Sequence, residues 1–157
     1  MKRELLKGFT MLAMIIALAL ATAAVSNAQS TNKITADIPF DFVVADRAMP
    51  AGEYSVRANS SQGDLLMVQS QDSRSSAIRW SNSLGPNKDK THARLVFHRY
   101  GERYFLAEVW YGADSTGRQL LKSRQERAIE RELASISSRS EQARSTYEVV
   151  EVMASLR

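Results

Sequence analysis

A mainly β fold, an antiparallel sandwich or small barrel of about six or seven strands with one C-terminal amphipathic helix, is what this sequence predicts. Three observations carry that expectation. Ile34 to Val44 alternates apolar and polar residues with period two, Arg94 to Tyr111 sets two aromatic and β-branched runs about Gly101, and beyond Lys122 the apolar period lengthens to that of a helix.

The chain opens on Lys2, Arg3 and Lys7, followed by an apolar run from Phe9 to Val25 and by Ser26-Asn27-Ala28, small residues where a signal peptidase reads. Residues 1–28 are therefore expected to be a signal peptide cut before Gln29, leaving an exported protein with no stable transmembrane span. The competing reading is a retained anchor, since roughly 18 apolar residues can just span a bilayer, but Thr10 and Thr22 dilute the run and the cleavage site is good. The remaining 129 residues suffice for one domain with its own core. Losing Lys2, Arg3, Lys7 and Glu4 lowers the net charge from +4 to about +2, which removes the best argument for nucleic acid as a partner. The chain has no Cys, so neither disulfides nor thiolate chemistry is available.

In the domain itself, Ile34, Ala36, Ile38, Phe40, Phe42 and Val44 point one way along a single long strand. Pro39 cannot donate to a ladder and marks an edge or a bulge. Asp46 to Gly52 reads as a connection turning at Met49-Pro50-Ala51-Gly52, and Glu53 to Ala58 pairs back with Tyr54 and Val56 inward. Leu65 to Gln69 and Ser76 to Ser81 are two further strands, the second with Ile78 and Trp80 on one side. Asn82 to Thr91 has no apolar period and reads as the longest loop.

The hairpin about Gly101 is expected at the centre of the sheet. A turn at Gly101-Glu102 (type II′) or at Tyr100-Gly101 (type I′) gives the same faces. One bears Leu95, Phe97, Arg99, Tyr104, Leu106, Glu108 and Trp110, and the other bears Arg94, Val96, His98, Arg103, Phe105, Ala107 and Val109. Gly112 to Gly117 is a turn. Ser123 with Glu126 three residues on is a capping-box signature, opening a helix to about Ser137 with Ile129, Leu133 and Ile136 as its apolar stripe. Residues 138–146 form a Ser/Arg-rich linker, and Tyr147 to Val152 is a possible last strand that completes the sheet, stays loose or meets another molecule's edge.

Certain of these segments resemble a known group. Ile-Pro-Phe-Asp-Phe at 38–42, Met-Pro-Ala-Gly-Glu-Tyr at 49–54, Leu-Val-Phe-His-Arg-Tyr-Gly-Glu-Arg-Tyr-Phe-Leu at 95–106 and Ser-Thr-Gly-Arg-Gln-Leu at 115–120, with Ser-Arg-x-Glu-Arg at 123–127, are similar to small uncharacterised exported proteins abundant in Acidobacteriota. That group usually has Leu where Met49 stands, a volume-conserving change. The resemblance implies an exported, β-rich protein and no reaction.

The chemistry-bearing residues do not form a catalytic pattern. His92 and His98 lie roughly 20 Å apart if on one strand, too far to share a metal, and His98 reads as a structural histidine. Asp37 and Asp41 stand about 13 Å apart along a solvated face. No Gly-x-Ser-x-Gly elbow, phosphate cradle or dinucleotide fingerprint occurs. A hydrolase would need His98 against a hydroxyl and an acid. No catalytic residue, metal site or cofactor is therefore assigned. The candidate ligand-binding residues are Trp80, Arg99, Tyr104, Glu108 and Trp110, with Glu108 and Arg99 as a polar floor under aromatic rings. Two functions follow as expectations. One is a non-enzymatic exported domain that contacts an envelope component or itself. The other is a carrier of an apolar or sugar ligand in a cavity lined by Trp80, Phe97, Phe105 and Trp110.

Overall fold

The structure, a computed structural model, describes residues 33–60, 64–86, 92–112, 117–137 and 147–156. The expected signal peptide, the 138–146 linker, residues 87–91 of the expected Asn82–Thr91 loop and residues 113–116 of the Gly112–Gly117 turn lie outside these residues, and Asn82 to Leu84, expected in that loop, belong to a strand. The described chain is mainly β with one helix. Its strands are β1 (Lys33–Ile38), β2 (Phe42–Val44), β3 (Arg47–Met49), β4 (Gly52–Ala58), β5 (Leu65–Ser70), β6 (Ser76–Leu84), β7 (Arg94–Tyr100), β8 (Arg103–Trp110), β9 (Gly117–Leu120), β10 (Glu148–Met153) and β11 (Ser155–Leu156), with helix α1 (Arg124–Ser137) between β9 and β10.

The sheet runs β10-β7-β8-β9-β6-β5-β4-β1-β11, with β2 pairing β3 and β8 off this path. The β2–β8 pair is parallel, so the sheet is mixed rather than wholly antiparallel. Eleven strands replace the expected six or seven because long runs are subdivided and short ones recruited. The run from Ile34 to Val44 breaks after Ile38, at Pro39, which has no N–H for a ladder. Its inward parity survives the break: Ile34, Ala36, Ile38, Phe42 and Val44 are all buried. The stretch expected as a plain connection forms a tight β2–β3 hairpin instead, with Val44 opposite Arg47. Ala45 and Asp46 turn it with φ of 54° and 64°, the type I′ conformation usually given to Asn-Gly.

The central hairpin forms as expected, with Tyr100 opposite Arg103. Gly101 alone takes the left-handed φ, 60°, which selects the type II′ alternative. Its strands are not in one register throughout. Phe97 faces Leu106 but Val96 faces Glu108, so Ala107 is an extra, bulged residue on β8. Beyond the bulge the parity inverts. Val109 and Tyr111 join Leu95, Phe97 and Leu106 in the apolar core, while Glu108 and Trp110 turn to the outer face, a correction to the expected grouping.

The core fills with aromatic rings in edge-to-face contact: Phe42 against Tyr54 at 5.0 Å and against Phe97 at 5.5 Å, and Phe40 against Phe97 at 5.2 Å. Helix α1 begins after Ser123, whose Oγ accepts the Glu126 amide at 3.0 Å. Ile129 and Leu133 are half-buried, and the Ile136 side chain lies outside the described residues. Strand β10 pairs antiparallel with β7, where Arg94 meets Glu151 at 2.6 Å and Arg99 meets Glu148 at 3.3 Å. A single residue, Ala154, separates β10 on β7 from β11 on β1.

Candidate functional site

The outer face of the β7–β8 hairpin is covered by the start of α1, and a polar cluster forms in that seam. His98 projects from β7 opposite the core, and its Nδ1 lies 2.9 Å from Glu126 Oε1. Both residues are over nine-tenths buried, at 8% and 3% exposure. The Tyr100 hydroxyl, two residues along the same face, donates to Glu130 at 2.8 Å and lies 3.4 Å from Glu126. Lys122 closes the chain of contacts on Glu130. Tyr147 caps the cluster, its ring stacked on His98 at 3.9 Å and 5.7 Å from the Lys122 ammonium.

Charge in this seam follows from its packing. Burial drives the Tyr100 phenol far above its ordinary range, and the Glu130 and Glu126 carboxylates push it the same way, so it stays a donor. Burial alone opposes charge on Lys122 and Glu130. Their mutual hydrogen bond and attraction, with Glu126 acting on Lys122 and the Tyr100 hydroxyl on Glu130, together outweigh it, holding the Lys122 ammonium up and the Glu130 carboxyl down. The capping-box pair is thus half realised: Ser123 caps the helix, while Glu126 turns to His98. The helix N-terminus receives a second acceptor from far away in sequence. Asp46, at the tip of the β2–β3 turn, accepts the Arg124 and Gln125 amides at 2.8 and 3.2 Å. Desolvation raises that carboxyl, but the two amides, with the Arg79 charge and the Ser123 hydroxyl, together lower it below the ordinary carboxylate value.

A cavity of about 180 Å³ opens beside the cluster, lined by His98, Glu126 and Lys122, by Ala107, Leu120 and Leu121, and by Asn82 and Gln119. Asn82 and Gln119 are exposed and paired across β6 and β9, at its rim.

The five expected ligand-binding residues are not brought together. Arg99 and Tyr104 sit by the hairpin turn, with the guanidinium 5.5 Å from the ring centre and Tyr104 stacked on Phe40 at 3.9 Å, on the core side. Glu108 and Trp110 lie past the bulge on the outer face, where the indole Nε1 donates to Glu108 Oε2 at 2.8 Å. The carboxylate has the hydrogen-bond partner its setting requires, and it is the tryptophan beside it rather than Arg99. Trp110 is buried over Gly117, whereas Trp80 is 58% exposed. Phe97 faces the core and Phe105 the covered outer face, so those four rings line no common cavity.

Trp80 does belong to a continuous surface. Leu65 and Met67 of β5 stand opposite Trp80 and Ile78 of β6, and the Leu121 amide donates to the Trp80 carbonyl at 3.2 Å. Ile78 and Leu121 are 48% and 46% exposed, so five apolar side chains share one outer face. The Arg57 guanidinium, on the sulfur of Met67 at 3.4 Å, borders it.

Sequence reasoning singled out His98 and Glu126 separately and missed their meeting. Lys122, Glu130 and Tyr147 carried no signal beyond helix charge and a weak strand. Among the described residues no serine hydroxyl contacts the His98 imidazole, and no cluster of three metal-donor side chains occurs. None of the described helices is long and apolar enough to cross a membrane. No protein-family model, curated protein or solved structure matches this chain, and its site is read from its own geometry.

Proposed function

We propose that the chain is an exported, non-enzymatic β domain that works by contact, pressing the Trp80 surface against a component of the cell envelope. The observation that carries this reading is the exposed indole of Trp80 amid Leu65, Met67, Ile78 and Leu121, an arrangement with no role in the domain's own core. Exposed apolar surface of this kind marks contact sites, and an aromatic anchor is the usual energetic centre of one. The signal-like segment at residues 1–28 supports export. The architecture supports the same reading: β10 and β11, at the two ends of the path through the mixed sheet, are separated in the chain by the single residue Ala154, as a sheet rolling toward a small barrel would require. A barrel would leave few strand edges for self-association, which favours a face as the contact. The core packing of Phe40, Phe42, Tyr54 and Phe97 favours a contact protein over a carrier, whose cavity needs roughly 300 Å³ or more.

The test is co-sedimentation of the protein lacking residues 1–28 with envelope fractions, alongside Trp80→Ser. The wild type is expected to sediment with the envelope and the variant to lose at least about tenfold in affinity, as for a central aromatic anchor. Equal sedimentation of both, or of neither, contradicts the proposal.

A further inference from the structure

We infer that the seam cavity beside α1 binds a single phenolic ring, either a free small molecule or a tyrosine side chain of a docking protein. Its volume, about 180 Å³, matches one ring: an engineered apolar protein cavity of about 150 Å³ holds benzene. Ala107, Leu120 and Leu121 supply the apolar surface for the ring. Ala107 is the bulged residue of β8, and its methyl is what leaves room there.

One side of the cavity is polar, and its polarity is specific. The His98 imidazole makes its hydrogen bond through Nδ1 to Glu126, while among the described residues Nε2 has no partner. In the neutral imidazole whose Nδ1–H donates to the carboxylate, Nε2 presents its lone pair as an acceptor. A hydroxyl donor on the ring completes it. A carboxylate in that place meets Glu126, and the cation on the lining, Lys122, is already paired with Glu130. The site therefore selects a neutral donor over an anion of the same size. Asn82 and Gln119 at the rim can close over the ring's outer edge. The Trp80 surface is not required for this binding, although Leu121 borders both.

Titration of the ¹⁵N-labelled protein with phenol, N-acetyl-tyrosinamide and benzoate, followed by amide chemical shifts, tests the inference. Phenol is expected to shift the Ala107, Gln119 and Lys122 amides saturably, with Kd of about a millimolar or tighter. Benzoate is expected to bind at least about tenfold more weakly, because like charges face each other. N-acetyl-tyrosinamide binding as tightly as phenol points to a protein side chain as the source, and phenol alone to a free molecule. Gln119→Trp, at an exposed position that leaves folding intact, is expected to block the mouth, and Ala107→Leu to fill the floor. Trp80→Ser is expected to leave phenol binding unchanged, which separates this site from the contact surface. Absence of saturable shifts with phenol, equal binding of benzoate, or phenol binding that survives Gln119→Trp overturns the inference.

Discussion

Glu126 is the residue on which the seam depends. Its Oε1 lies within hydrogen-bond reach of both His98 and Tyr100 in a place water barely enters. Glu126→Ala leaves those polar groups buried without their acceptor, and is expected to destabilise the fold by about 2–4 kcal/mol in urea unfolding. Glu126→Gln keeps a carbonyl acceptor and is expected to cost less than half as much. Equal losses for the two variants would show that charge, not hydrogen bonding, holds the seam. Gly117 is a second sensitive point, for a steric reason. A Cβ there falls 2.5 Å from the Trp110 ring, and a large indole packed over a strand has nowhere to move. Gly117→Ala is expected to lower stability by about 1–3 kcal/mol, read as a shift in the thermal midpoint, with Trp110 fluorescence changing alongside. Little of this was legible in the sequence. Glu126 was read as a helix-capping residue and His98 as a structural histidine, but nothing in linear spacing says that a helix 28 residues away returns to cover that strand.

At the scale of elements, the bulge and the β2–β3 turn decide the arrangement. Strand positions were readable because alternation is a local pattern, and the helix start was readable because Ser123 caps it locally. One extra residue at Ala107 has no compositional mark, yet it moves Glu108 and Trp110 to the opposite face from Tyr104. That single slip dissolved the expected pocket of Arg99, Tyr104, Glu108 and Trp110. The Ala45-Asp46 turn was missed because neither residue is the Gly or Asn that such a turn favours. Its second residue docks on α1, and this yields a pH test. Asp46→Asn keeps the left-handed turn and an acceptor oxygen but removes the charge at the helix N-terminus. At neutral pH it is expected to cost no more than about 1 kcal/mol, because the carboxylate is partly solvated and screened. The folded pKa of Asp46 lies below the ordinary value of 3.8. The wild-type advantage is therefore complete above that value and disappears as pH falls through the lower folded pKa. Unfolding curves of both proteins across that acid range check it; a difference that persists under the most acidic conditions would mean Asp46 acts through the turn alone.

Across the whole molecule, the mainly β class and the single helix were predictable, and the strand count and the mixed pairing were not. The parallel β2–β8 pair joins Phe42 to Tyr104 and Val43 to Phe105 across some sixty residues of chain, and no local signal encodes it. The same limit applies to the apolar surface. Trp80 was legible only as a ligand-binding candidate, and its neighbours Leu65, Met67 and Leu121 come from distant segments assembled only by folding. In the proposed function this surface is covered when the protein meets the envelope. Trp80 is 58% exposed and Trp110 only 4%, so solvent-sensitive tryptophan emission reports chiefly on Trp80. Titrating the protein lacking residues 1–28 with envelope vesicles is predicted to move the emission to shorter wavelength and to protect it from acrylamide quenching. An emission maximum and a quenching constant that stay unchanged through the titration would contradict it.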